Sequence, residues 1–173
     1  MTAPTDNADM ASNDDKRIQG TLSERRRAAR LAAVQALYQM DMSGEGDKPV
    51  IRQFRDHHFG YRGEPGKVEA DEEFFEALIE GVVAKQHDID AAIADHLSAK
   101  WSLKRLDITL RAIMRAGSFE IMQRPDVPAL VVIDEYVSIA ADFFDDGKEP
   151  SFVNGALEKL AKQIRKAEFG LIS

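Results

Sequence analysis

The spacing of apolar residues follows the period of an α-helix in most of the chain after residue 20. A first helix is predicted to begin at residue 21 or 22, because Thr21 and Glu24 have the spacing of a capping box. On this helix Arg26 and Arg30 are predicted to lie off the apolar stripe, toward solvent. The predicted stripe consists of Ala28, Leu31, Val34 or Gln35, and Tyr38.

After the first helix, the pattern up to Trp101 predicts shorter and longer helical segments separated by loops. A short amphipathic segment around residues 50–54 precedes a loop rich in glycine and proline. A strong helical pattern then begins at Asp71, where acidic residues suit the positive end of the helix dipole. Asp88 is placed to cap a separate second helix, and Trp101 follows in a connector.

The clearest helical pattern lies in residues 106–121 and predicts the centre of the core. Gly117 on its buried stripe predicts close approach by a neighbouring helix, since glycine costs a helix about 1 kcal/mol that packing must offset. Pro128 is predicted to start the next helix, and Ser151 to cap the last one. The pattern therefore predicts an all-α fold of six or seven helices, in one cluster before Trp101 and one after it.

Composition narrows the class of protein. A length of 173 residues fits one compact domain, predicted over residues 21–173, whereas residues 1–20 carry few apolar side chains and are predicted to be a disordered acidic tail. The chain has no cysteine, which fits a reducing compartment. It also has no apolar signal core and no run long enough to cross a bilayer, so we expect a cytoplasmic protein without a membrane partner.

Catalytic and metal-binding motifs are not found in the sequence. The four histidines are not arranged in an HExxH motif, and the adjacent pair His57 and His58 would point about 100° apart on a helix. No nucleophile elbow or phosphate-binding glycine loop occurs. We therefore expect no catalytic residues, no cofactor and no metal site.

The charge distribution points to one basic segment. The protein has a formal net charge of −7, yet residues 21–40 carry four arginines and a single acid. These arginines are either a solvated helix end paired with acids elsewhere, or a segment that binds phosphate backbones through bidentate guanidinium groups. Residues 101–128 and 151–173 are also net basic, so convergence of the three segments would present a positive face to nucleic acid.

Three stretches resemble the NusB family of transcription antitermination factors. They are RRRAARLAAVQALYQM at residues 25–40, SFVNGALEKLA at residues 151–161, and the central helices from LRAIMRAGSFEI through RPDVP to VVIDEYVSIA at residues 110–140. The resemblance spans residue 24 to about residue 165, and residues 43–70 match poorly. The chain departs from the family at Asp134-Glu135-Tyr136, where Asn-Glu-Ala is usual, and at its lysine-containing loop DDGKEP.

The resemblance implies two packed three-helix bundles and no enzymatic activity. It further implies binding of single-stranded boxA-type RNA together with the ribosomal protein NusE. With other Nus factors, the assembly would help the RNA polymerase elongation complex read through terminators in ribosomal RNA operons.

The resemblance also carries residue roles to this chain. Arg25, Arg26, Arg27 and Arg30 match the family's arginine-rich RNA-binding segment, and Phe152 matches an aromatic residue that contacts RNA, as a stacking platform would. Lys148 and Ser151 lie in the matching loop, within reach of phosphate. Asn154 and Gly155 are expected to serve the backbone and packing, and the neighbourhood of Glu120 is expected to face the protein partner.

Two alternatives remain. One is a NusB-like accessory protein of ribosomal RNA modification, as found beside methyltransferase domains, although the chain has no room or motif for a cofactor-binding α/β domain. The other is a helical adaptor that binds only proteins and uses its arginines for acidic partners.

Overall fold

A computed structural model describes residues 20–59, 67–97 and 102–171. Within these ranges six α-helices and no strand are present. Turns of other helical types lie at Phe54–His58, Leu103–Arg105 and Lys166–Phe169. The predicted tail up to residue 19 and the predicted connector at Trp101 lie outside the described residues. The helices are α1 (Leu22–Ser43), α2 (Asp47–Gln53), α3 (Glu72–His96), α4 (Ile108–Gln123), α5 (Ala129–Phe143) and α6 (Glu149–Ile164).

Helices α1–α3 form one bundle and α4–α6 form a second, which confirms the predicted all-α fold of two packed bundles. Helix α4 joins them, since it packs against α1 and α3 on one side and α5 and α6 on the other. Gly117 in α4 makes this packing possible: a Cβ atom there would lie 3.0 Å from Leu157 and 3.2 Å from Tyr136. The close approach predicted at Gly117 is confirmed.

The start of α1 is as predicted, but its buried face is not. Thr21 caps the helix by accepting a hydrogen bond from the backbone N–H of Glu24 at 3.1 Å. Tyr38, predicted on the apolar stripe, is 41% exposed. The helix instead buries a mostly alanine face, because small side chains let α1 lie close to α3 and α4. The buried residues are Ala29, Arg30, Ala32, Ala33, Val34, Ala36 and Leu37.

Two predicted helix starts are wrong. Asp88 lies exposed inside a continuous α3, because the buried face continues through Ile89 and Ile93 and outweighs the small cost of an exposed aspartate in a helix. Helix α6 begins at Glu149, two residues before Ser151, since Pro150 fits a first turn that needs no backbone N–H.

Candidate nucleic-acid interface

The four arginines of α1 have different environments, and Arg30 is the most buried of them. Only 3% of Arg30 is exposed, and its Nε and Nη2 donate to the two carboxylate oxygens of Glu120, each at 2.9 Å. Glu120 is fully buried and also accepts a hydrogen bond from the Tyr136 hydroxyl. The prediction that Arg30 faces solvent is therefore wrong, and Glu120 is not itself at a partner-facing surface.

Electrostatics keep Arg30 charged and Tyr136 neutral in this buried cluster. Burial lowers the pKa of Arg30, but the hydrogen bonds and charge of Glu120 outweigh burial, so the pKa is raised. Burial also raises the pKa of Tyr136 well above its usual value, so the phenol stays neutral and donates. The cluster joins α1, α4 and α5 through a salt bridge and one hydrogen bond from a neutral phenol to its carboxylate.

Arg27 is exposed but already paired. Its side chain is 62% exposed, and its Nε and Nη2 each lie 3.1 Å from a carboxylate oxygen of Glu135, whose side chain is 10% exposed. The hydrogen bond to Glu135 raises the pKa of Arg27. For Arg27 and Arg30, the structure thus shows the pairing with distant acids that the sequence left as one of two interpretations.

Arg25 and Arg26 are half-buried, and the Nε of each has no hydrogen-bond partner among the described residues. The Arg26 guanidinium lies 4.8 Å from the centre of the Phe74 ring, and its Nε is 3.8 Å from a carboxylate oxygen of Asp71. Both Nε atoms are themselves buried, so contact with a ligand falls to the other guanidinium nitrogens of these partly exposed side chains.

The other predicted region is the start of α6. Lys148 and Ser151 are exposed, whereas Phe152 is partly buried against the core. Asn154 and Gly155 are exposed, and a Cβ atom added at Gly155 would meet nothing within 4 Å. The packing role predicted for Gly155 is therefore wrong, and this side of α6 is open surface that the sequence analysis missed.

The two regions border different levels of α5. Arg27 meets α5 at Glu135, whereas α6 begins after the end of α5 at Phe143. The eight helical steps from Glu135 to Phe143 span about 12 Å at a rise of about 1.5 Å per step. Both regions therefore adjoin α5, at levels about 12 Å apart along its axis.

The expected convergence of three basic segments occurs only in part. Arg111 and Arg115 are bound to Asp41, and Arg115 also to Asp90. Arg165 is buried against backbone carbonyls. Arg124 is different, since its guanidinium lies 5.1 Å from the Phe74 ring beside the start of α1. Sequence periodicity gave no signal for Arg124, because it lies in the turn after α4.

Comparison with known proteins decides the family. The model of the NusB family matches residues 27–162. The chain belongs to the NusB family. It is 57% identical over 145 residues to the transcription antitermination protein NusB of Maricaulis maris, an alignment that covers 83% of this chain and 90% of that protein. The corresponding protein of Caulobacter vibrioides is 50% identical over 149 residues, covering 86% and 99%.

Solved NusB structures have the same fold. NusB of T. maritima superposes with a TM-score of 0.67 at 29% identity, covering 84% of this chain and 97% of that one. A chain from the structure of antitermination factors NusB and NusE in complex with dsRNA superposes with a TM-score of 0.64 at 25% identity, covering 81% and 98%. The family match begins at Arg27, so it includes Phe152 but not Arg25 or Arg26.

Two further findings concern the described residues alone. None of their helices combines the length and apolar character needed to cross a membrane. Nor do three or more His, Asp or Glu side chains gather there in an arrangement that could hold a metal ion.

Proposed function

We propose that this member of the NusB family is a non-enzymatic transcription antitermination factor of the cytoplasm. It binds boxA-type single-stranded RNA together with NusE, and with other Nus factors it promotes read-through by RNA polymerase in ribosomal RNA operons. The observation that carries this proposal is 57% identity to a transcription antitermination protein over most of both chains. The fold it shares with NusB in the NusB–NusE–RNA structure supports both partners.

We propose different tasks for the predicted site residues according to their burial and partners. Arg25, Arg26 and Arg27 lie at the partly exposed start of α1 and contact backbone phosphates. Arg30 does not contact RNA, because its guanidinium is buried and both of its charged hydrogen bonds go to Glu120. It holds α1 in place against α4 instead.

The start of α6 supplies the second contact region. Lys148 at its N-cap and Ser151 in its first turn are exposed and reach phosphate. Phe152 presents the exposed part of its ring to an unstacked base, and the open space over Gly155 lets the strand lie close to the helix. A strand of several nucleotides lying along α5 then reaches both regions.

One observation favours the adaptor alternative. The forks of Arg27 and Arg30 are filled by carboxylates of this chain, as expected for arginines that serve only the fold. Arg27 is 62% exposed, however, and the pair uses only its Nε and Nη2, so RNA phosphate can contact Nη1 without displacing Glu135. RNA binding measured on Arg27 variants separates the two functions.

The proposal predicts that affinity for a boxA single strand falls steeply with salt. For single strands, each phosphate contact contributes about −0.7 to the slope of log affinity against log salt. Arg27→Gln should make the slope shallower by about that amount. Phe152→Ala should weaken binding by about 1–3 kcal/mol and leave the slope unchanged, because stacking releases no counterions. Fluorescence anisotropy of labelled RNA across a salt series measures both quantities.

Lys85→Gln is the matched control, since Lys85 is exposed in the middle of α3 and its loss removes the same charge. It should leave the slope unchanged. A boxA duplex and a scrambled single strand test the preference for an unpaired strand, and NusE added to each should tighten binding to the boxA strand. A salt-independent affinity would contradict the arginine mechanism.

A further inference from the structure

Three arginines surround one buried aromatic ring at the junction of the two bundles. The guanidinium carbons of Arg26, Arg30 and Arg124 lie 4.8, 5.0 and 5.1 Å from the centre of the Phe74 ring. Phe74 is 3% exposed and lies in the first turn of α3. Arg30 is enclosed with Glu120, but the side chains of Arg26 and Arg124 are 27% and 25% exposed. Solvent therefore reaches two of the three cations.

The carboxylates around this ring differ in what else they do. Glu120 is fully buried in the salt bridge with Arg30. Asp71 is 18% exposed and caps α3 by accepting the backbone N–H of Phe74 at 3.1 Å. Asp126 is 51% exposed in the turn after α4, and its two oxygens accept hydrogen bonds from Arg124 at 2.9 and 3.0 Å. Asp126 is thus the carboxylate that can leave with the least disturbance to the fold.

The Arg124 guanidinium donates through two nitrogens, as it would to a phosphate, and the carboxylate of Asp126 occupies that position. Guanidinium binds carboxylate and phosphate oxygens in the same bidentate manner. The pKa of Asp126 is lowered chiefly by its hydrogen bond to Arg124, with a smaller contribution from the charge of Arg26. The guanidinium groups of Arg26 and Arg124 lie 4.8 and 5.1 Å from the same ring centre, so an anion held by Arg124 is within range of the Arg26 charge. Their contact with one ring also limits the guanidinium orientations that binding must fix.

We propose that Arg26 and Arg124 form a clamp for one phosphate of the RNA backbone, and that Asp126 occupies the clamp when RNA is absent. The inference rests on the proposed function and deepens it. It extends the RNA surface from Arg27 across the start of α1 to the turn between α4 and α5. Arg124 becomes an RNA-binding residue, and Asp126 an internal competitor that lowers affinity.

A double-mutant cycle tests the clamp, using the full chain and a fluorescein-labelled boxA single strand. Asp126→Asn should raise affinity by up to about fivefold, the range expected for release of an exposed ion pair. Arg124→Gln should lower affinity by about tenfold and make the salt slope shallower by about 0.7. In the Arg124→Gln background the gain from Asp126→Asn should disappear, because Asp126 competes for the fork of Arg124.

Two controls separate the clamp from simple charge effects. Asp95→Asn removes another exposed carboxylate, in the last turn of α3 and about 30 Å from Phe74 along the helix, and should leave affinity unchanged. Arg124→Lys keeps the charge and loses the fork, and should retain the salt slope while binding more weakly than the parent protein. Thermal unfolding of each variant establishes that it is folded.

The outcomes distinguish the clamp from the proposed function. If the Asp126→Asn gain persists in the Arg124→Gln background, the effect is general charge and the clamp is wrong. If Arg27→Gln and Phe152→Ala weaken RNA binding while the Arg124 and Asp126 variants do not change it, the clamp alone fails. If the parent protein has no salt-dependent affinity for the boxA strand, the proposed function fails.

Discussion

Glu120→Leu is expected to lower the free energy of unfolding by about 3–5 kcal/mol, because removing one partner of a buried salt bridge leaves the other charge uncompensated. Arg30 would keep its place at 3% exposure with neither of its two charged hydrogen bonds. The Tyr136 hydroxyl would lose its acceptor as well. Urea denaturation followed by circular dichroism measures the change, and the dependence on denaturant should remain that of the parent protein.

The double variant Arg30→Met/Glu120→Leu is the matched control. Replacing a whole buried ion pair with apolar residues of similar size is often neutral or stabilising, so this variant should recover most of the lost stability. A Glu120→Leu cost below about 1 kcal/mol would contradict a dry, ionised pair. The double variant also tests the role of Arg30, since RNA affinity should stay at the parent level if Arg30 serves the fold alone.

The burial of Arg30 is a part of the fold that could not be predicted from the sequence. Amphipathic spacing predicted the helices apart from a false break at Asp88 and a late start at Ser151. The Thr21 cap and Gly117 were identified correctly because each depends on local geometry. The predicted buried face of α1 was wrong, because its larger side chains, such as Tyr38, lie at the edge of its interface with the other helices. An alanine-rich face gives little hydrophobic contrast, so periodicity cannot place an arginine within it.

For the site, the sequence predicts features that are local in the chain and misses those that depend on tertiary packing. The arginine segment stands out in sequence because it opposes the charge of the whole protein. The acidic partners of this segment do not stand out in sequence. Glu120 lies 90 residues from Arg30 and Glu135 lies 108 residues from Arg27, so each pair meets only through tertiary packing. Arg124 carries no periodic signal, and only the fold brings it to Phe74.

Arg165→Met is expected to lower the free energy of unfolding by about 3–4 kcal/mol. Arg165 is 8% exposed, and its guanidinium donates to the carbonyl oxygens of Glu120, Ile121, Arg124 and Val127. At the end of α4 the carbonyl of Ile121 faces Pro125, which has no N–H to donate, and Arg165 supplies the donor. Arg165 adds a second donor to the carbonyl of Glu120, which also accepts the backbone N–H of Arg124, so Arg165 caps the helix from the other end of the chain. Each lost hydrogen bond to a buried carbonyl costs about 1 kcal/mol.

Lys162→Met is the control, because Lys162 makes an exposed pair with Glu158 one turn away and should contribute no more than about 0.5 kcal/mol. Arg165→Lys should recover only part of the loss, since an ammonium group has fewer donors and no fork. An Arg165→Met cost as small as that of Lys162→Met would contradict the capping role.

Arg165 also connects stability to the proposed RNA surface. Two of the carbonyls it holds, those of Arg124 and Val127, flank Asp126 in the turn that carries the phosphate clamp. Arg165→Lys should therefore weaken RNA binding under conditions where the protein is fully folded, although Arg165 itself is buried. Asp126→Asn frees the Arg124 guanidinium but does not return the turn to its position. It should therefore raise affinity less in the Arg165→Lys background than in the parent protein.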